Sequence, residues 1–270
     1  MGVSAMRSDR KPLILLTNDD GFYADGIRAL FENLQDMGDV YIVAPDREQS
    51  ATSLSLTLHH PLRVKQVRDK VFAADGTPTD CIYLAVQKLL PRRPDLIVSG
   101  INRGPNLGQQ DIAYSGTVGG AVQGTFLQIC SLAVSHLPDE EGKCHFDFCA
   151  RVTKALSRRF LEQPLPENVT LNVNIPAPPA AGIRPAKLGQ KRYHPEIVIK
   201  TDPRGRDYYW IGTGTPKAIG GPGSDVQLIK KGYVTVTPIH RDLTVYPLLK
   251  GSALLEALED IQHEISAPII

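Results

Sequence analysis

Short runs with a continuous apolar centre, each ending in glycine or polar residues, restrict this chain to few architectures. They are "PLILL" before Thr17, "VYIVA" (Val40 to Ala44), "DLIVS" (Asp95 to Ser99) and "SLAVS" (Ser131 to Ser135). A strand with no polar alternation is covered on both faces, which is the state of a strand in a parallel sheet. Between the runs lie helical patterns over Gly26 to Met37, Asp80 to Leu90 ("DCIYLAVQKLL") and Ser115 to Gln128 ("SGTVGGAVQGTFLQ"). The alternation predicts an α/β fold with a Rossmann-like, doubly wound, mostly parallel sheet.

After "TLNVNIP" (Thr170 to Pro176) the character changes to proline and glycine clusters such as "PAPPAAG" and "GTGTPKAIGGPGSD". Such clusters favour turns, hairpins and long surface loops over further βαβ units. The expected division is a core over residues 1–176 and a loop- and hairpin-rich C-terminal extension over 177–270, with an assembly arm and a terminal helix.

Composition narrows the function. The 270 residues are 42% hydrophobic, enough for a sizeable core. With 30 basic against 29 acidic residues the formal charge is +1, which argues against a nucleic-acid polymer as the main partner. No stretch approaches the roughly 20 apolar residues that span a bilayer. The N-terminus "MGVSAMRSDRK" has no apolar signal core, so no membrane partner and a cytoplasmic location are expected. Cys81, Cys130, Cys144 and Cys149 lack regular spacing and read as reduced thiols. Cys144, His145 and Cys149 imitate a metal cluster, but not with zinc spacing, and helix packing explains them better.

In an open parallel sheet, ligands bind beyond the carboxyl ends of the strands. Three runs end in polar segments, "LLTNDDG", "IVAPDREQSATS" and "IVSGINRGPN", and the third feeds "YSGTVGG". Asp19 and Asp20 are adjacent carboxylates at one such end. Two like charges in contact raise each other's pKa unless a cation lies between them, and hard oxygens suit Mg²⁺, Mn²⁺ or Ca²⁺. Taken alone, the pair is equally what a helix N-cap or an Asx turn looks like.

The blocks "ILLTNDDGFYADGI", "VAPDREQSATSLSLTL", "GTPTDCIYLAV", "PDLIVSGINRGPNLGQQDIAYSGTVGGA" and "TPIHRDLT" resemble the SurE-type stationary-phase survival proteins, a nucleotidase family. They run in order from about Ile14 to Thr244. The resemblance implies a metal-dependent phosphatase acting on nucleoside monophosphates, 5' or 3', through one divalent cation (Mg²⁺ or Mn²⁺) and metal-activated water. It also implies a homodimer or homotetramer built with the C-terminal extension. By motif, the implied metal ligands are Asp19, Asp20, Ser50 and Asn102. The segment between Gly108 and Tyr114 is slightly longer than the family pattern.

Ser115, Gly116 and Thr117 suit a phosphate cradle, because hydroxyls and exposed N–H groups meet there at a helix start. Asn106 is a candidate for binding phosphate or orienting Asn102, with a turn role as the alternative. His240 is a candidate acid or base, since histidine titrates near neutral pH, although a lone histidine close to a proline is more often structural. Arg103 reads as a solvated arginine. Two other function classes remain: an aspartyl-phosphate phosphatase, which favours Asp-x-Asp over the adjacent pair found here, and a nucleotide-binding module without turnover.

Overall fold

The computed structural model describes residues 10–193, 196–212 and 217–249, together with Leu255, Leu258, Ile261 and Gln262. From the N-terminus, β1 (Leu13–Thr17) leads through α1 (Asp25–Leu34) to β2 (Asp39–Pro45). The hairpin of β3 (Val64–Arg68) and β4 (Val71–Ala74) follows. Next come α2 (Pro78–Leu84), which continues as a π-helical turn over Ala85–Leu89, and β5 (Leu96–Arg103). Helices α3 (Gly108–Tyr114) and α4 (Gly116–Phe126), β6 (Ser131–His136), α5 (Phe146–Glu162) and β7 (Val169–Ile175) complete the first two thirds. Beyond them lie β8 (Gly182–Pro185), β9 (Gln190–Arg192), β10 (Ile197–Thr201), β11 (Asp207–Ile211), β12 (Lys217–Ile219), α6 (Asp225–Lys230) and β13 (Tyr233–His240).

Nine strands form one sheet in the order β3-β4-β2-β1-β5-β6-β7-β13-β8. The pairs from β4 through β7 are parallel, while β3 and β13 run antiparallel to β4 and β7. This is the mostly parallel α/β sheet expected from the apolar runs. All five residues of β1 are buried. Ile14 and Leu16 pack on one face with Ile27, Leu30 and Leu34 of α1 and Cys149 and Ala150 of α5. Leu15 packs on the other face with Cys81, Ile82 and Ala85. Each buried leucine or isoleucine contributes about 1.5–3 kcal/mol relative to exposure, so a strand with two buried faces tends to be apolar along most of its length.

Local signals set the helix ends. Thr77 and Asp80 form a reciprocal capping box at α2, with Pro78 in its first turn. Glycine-rich α4 is buried on nearly every side. A Cβ on Gly119 would lie 2.1 Å from the Ser53 carbonyl oxygen, so only glycine admits the loop that crosses this helix.

The loop-rich tail does more than decorate the core, because β13 and β8 extend the central sheet beyond β7. Hairpin β10–β11 stands apart as its own two-stranded sheet. The terminal helix expected from the sequence lies outside the described residues, apart from Leu255, Leu258, Ile261 and Gln262, which are helical. Cys81 and Cys149 are buried thiols. His145 pairs with Asp139 at 2.8 Å and Cys149 packs inside α5, as helix packing requires.

Candidate functional site

The strand order reverses between β1 and β5: from β1 the chain builds outward to β2 on one side, and β5 begins the other. A crevice opens beyond the carboxyl ends at such a switch point. Here it is a cleft of about 880 Å³ whose lining includes Asp19, Asp20, Ser50, Asn102, Asn106 and Ser115.

Asp19 and Asp20 leave β1 directly. The Asn18 amide donates to the Gly21 carbonyl at 2.8 Å, and Gly21 adopts φ +96°, so the chain turns sharply after the pair. Asp19 is buried, its Oδ1 accepts from the Thr117 hydroxyl, and its carbonyl accepts from Gln49 N at 2.7 Å. Burial raises its pKa to about 6; the Thr117 bond opposes that shift and the Asp20 charge adds to it. Asp20 is raised too, first by burial and then by Glu48, against a 3.2 Å hydrogen bond from Arg103 N.

Asn102 reaches the cleft from β5, where the pairing with β6 slips between Ser99 and Asn102. Such irregularities re-aim side chains. The Asn102 amide nitrogen donates to the Gly104 carbonyl at 2.8 Å, which leaves Oδ1 as its remaining acceptor. Ser50 lies in the exposed loop after β2, and its hydroxyl donates to Glu48 at 2.6 Å, leaving oxygen lone pairs. The four side chains together offer two carboxylates, a hydroxyl and an amide oxygen. Among the described residues no group of three or more His, Cys, Asp or Glu forms a metal cluster. The set therefore fits a hard cation and not a thiolate- or imidazole-bound one. The two raised carboxylates are the charge such an ion would neutralise.

Ser115 ends α3 and caps α4, its Oγ accepting from Val118 N at 3.1 Å. Gly116 packs against Asp19: a Cβ there would lie 2.9 Å from the Asp19 Cβ. Thr117 spends its hydroxyl on Asp19. Asn106 is gripped by the strands behind it. Its N donates to Asn174 Oδ1 and its amide to Ser135 Oγ, both at 2.8 Å, while Asn172 and Asn174 donate to its carbonyl at 2.9 Å. Arg103 is exposed and lines the cleft.

His240 stands apart. It pairs with Val169 at the start of β7, the amino-terminal edge of the parallel strands, and within one chain it is not brought to the cleft.

Sequence reasoning missed one wall. Tyr114, Asp111 and Tyr193 line the cleft, and Lys191 bonds Asp111 at 2.6 Å. Tyr114 was signalled only by its place beside Ser115, and the Asp111 partners lie some 80 residues further on. Phe146, Cys144 and Gly142 also line the cleft.

The family description "Survival protein SurE" matches residues 14–195. This chain belongs to the SurE family. It is 48% identical over 240 residues to the 5'-nucleotidase SurE of Pelobacter propionicus, covering 88% of this chain and 96% of that one. It is also 48% identical over 236 residues to the 5'-nucleotidase SurE of Geotalea daltonii, covering 86% and 94%. The crystal structure of the SurE protein from Aquifex aeolicus superposes with a TM-score of 0.77 at 39% identity, over 91% of this chain and all of that one. The SurE match thus spans the strands that carry Asp19, Asp20, Ser50, Asn102 and Asn106.

Proposed function

We propose that this SurE protein is a divalent-metal-dependent nucleotidase that hydrolyses nucleoside 5'- or 3'-monophosphates to nucleoside and phosphate. The observation that carries the reading is the buried Asp19 beside Asp20 at the switch point, bonded to the first turn of α4. The relatives that bear the name 5'-nucleotidase support the reaction class.

In this reading Asp19, Asp20, Ser50 and Asn102 hold the cation, with Mg²⁺ or Mn²⁺ favoured by hard oxygen donors. When bound, the cation supplies polarisation of a phosphoryl oxygen and a lowered pKa for water. Thr117 keeps Asp19 oriented and favours its charged form. The N–H group of Gly116, which has no partner inside α4, and the Ser115 hydroxyl hydrogen receive phosphate oxygens, while the Thr117 N–H, like its hydroxyl, bonds Asp19. Asn106, fixed from β6 and β7, has a second amide N–H to offer a phosphate oxygen.

The division at residue 177 is proposed as a functional one, a catalytic core followed by an arm for a homodimer or homotetramer. Exposed Ile197, Ile199, Tyr209, Trp210 and Ile211 on β10–β11 support that role. Buried thiols such as Cys81 and Cys149 fit a cytoplasmic site of action, and no helix among the described residues is long and apolar enough to cross a membrane.

The test is phosphate release from a panel of nucleoside 5'- and 3'-monophosphates with Mg²⁺, Mn²⁺ or chelator. Release that needs metal is expected. No release from any nucleotide would leave a binding module, and undiminished release in chelator would remove the metal.

A further inference from the structure

The lining of the cleft also carries aromatic rings. Tyr114 lines it with 56% of its surface exposed, a large ring left uncovered inside a concave site. It immediately precedes Ser115, and its carbonyl is pinned by Ser53 N at 3.1 Å. Tyr193 comes to the same cleft from the segment after β9. Its hydroxyl donates to Asp111 Oδ1 at 2.7 Å and its N donates to Gln110 Oε1 at 3.3 Å. The other Asp111 oxygen accepts from Lys191 at 2.6 Å and from Leu107 N at 3.1 Å. The Lys191 ammonium also lies 5.1 Å from the centroid of the Tyr193 ring.

A largely buried ion pair adds little net stability, because desolvation offsets much of the attraction. What this one does is hold a ring still. A fixed ring is a preorganised stacking surface whose entropy is already lost before a ligand arrives. The cleft therefore has a carboxylate end, an anion-binding helix start and an aromatic wall beside that start. A nucleotide has the same sequence of parts.

We propose that Tyr114 and Tyr193 form the nucleobase subsite, with Asp111 and Lys191 as positioning residues that orient Tyr193. The inference rests on the nucleotidase reading and deepens it. Every base has a π-face, so stacking here accepts purines and pyrimidines alike.

The experiment compares kcat/KM for adenosine 5'-monophosphate and for ribose 5-phosphate, which keeps the phosphate and sugar and lacks the base. For Tyr114→Ala and for Tyr193→Ala the nucleotide-to-sugar ratio should fall about ten-fold, through KM more than kcat. Tyr193→Phe keeps the ring and loses the tether, so its ratio should fall less, and Asp111→Asn should resemble it. Equal losses on both substrates would mean a structural clamp and overturn the proposal while leaving the nucleotidase reading intact. Should the wild type release no phosphate from any nucleotide, that reading fails, and calorimetry with adenosine decides the wall separately. Binding weakened by both alanine variants would support it, and undiminished or undetectable binding would overturn it.

Discussion

The hydroxyl of Thr117 donates to Oδ1 of Asp19 and so ties the first turn of α4 to the end of β1. This bond is one of the few influences that lower the Asp19 pKa. Thr117→Val keeps the shape and removes the donor. Hydrogen bonds to charged groups are worth about 1.5–3 kcal/mol, so divalent-ion affinity should drop roughly ten-fold or more, with Thr117→Ser restoring most of it. Calorimetric metal titration reads this directly; an unchanged affinity would separate Thr117 from the metal site.

Asp19→Asn should abolish nearly all phosphate release and leave the fold intact by circular dichroism. Its effect on stability has a sign. The folded pKa of about 6 lies above the ordinary 3.8, so the fold favours protonated Asp19. That contribution is fully present below pH 4 and is lost as pH rises through 6. In chelator, wild type should therefore weaken relative to Asp19→Asn across this window, by on the order of 3 kcal/mol at most. Denaturation at pH 4 and pH 7 measures the difference, and a constant gap would refute the burial argument. Trapping of a phosphoaspartate at Asp19 would instead favour the aspartyl-phosphate mechanism.

Asn102→Asp tests why one proposed ligand is neutral. A third carboxylate should hold the cation at least as tightly and repel phosphate. At about 4 Å and an effective dielectric near 20, the added charge is worth roughly 4 kcal/mol before screening, so even a quarter of it costs several-fold in kcat/KM. Wild-type efficiency in a variant shown to bind one ion would remove Asn102 from the coordination set.

The exposed face of β10–β11 bears on assembly. Ile199 pairs with Tyr209 and Ile197 with Ile211, and all four are more than half exposed. An apolar face of that kind is characteristic of an interaction site. Ile199→Lys should lower the mass seen by light scattering while metal binding persists; an unchanged mass would exclude this face from the contact.

Much of the architecture was legible because buried parallel strands carry near-continuous apolar runs. β1, β2, β5 and β6 announced themselves, and the helix readings over α1, α2 and α4 match within a few residues. β7 did not, because buried Thr170, Asn172 and Asn174 interrupt its apolar positions. β3 did not, since Lys65, Gln66 and Arg68 face solvent at the sheet edge. Nor did β13, whose exposed Pro238 interrupts the strand pattern and whose direction no local pattern encodes. That direction is what carries His240 to the far edge. At the cleft, the strand end made Asp19 and Asp20 legible as a carboxylate pair, while Ser50 and Asn102 came only from the family resemblance. The bonds from Asp111 to Lys191 and Tyr193 stayed hidden, because they span 80 and 82 residues and obey no periodicity.

The loop that brings Ser50 to the cleft is fastened along its length. Ser53 bonds Ala113 and Tyr114, and Thr57 gives both its amide and its hydroxyl to the Asp80 carboxylate, at 2.9 and 2.7 Å. Its Ser53 carbonyl occupies the space a side chain on Gly119 would need. The loop and the start of α4 therefore open as one cooperative unit when the native state fluctuates, and amide exchange should report a shared opening free energy for residues 52–57 and 117–120. If the proposed metal and phosphate sites are as assigned, such a nucleotidase would not breathe one apart from the other; it would be either assembled for turnover or open on both sides at once.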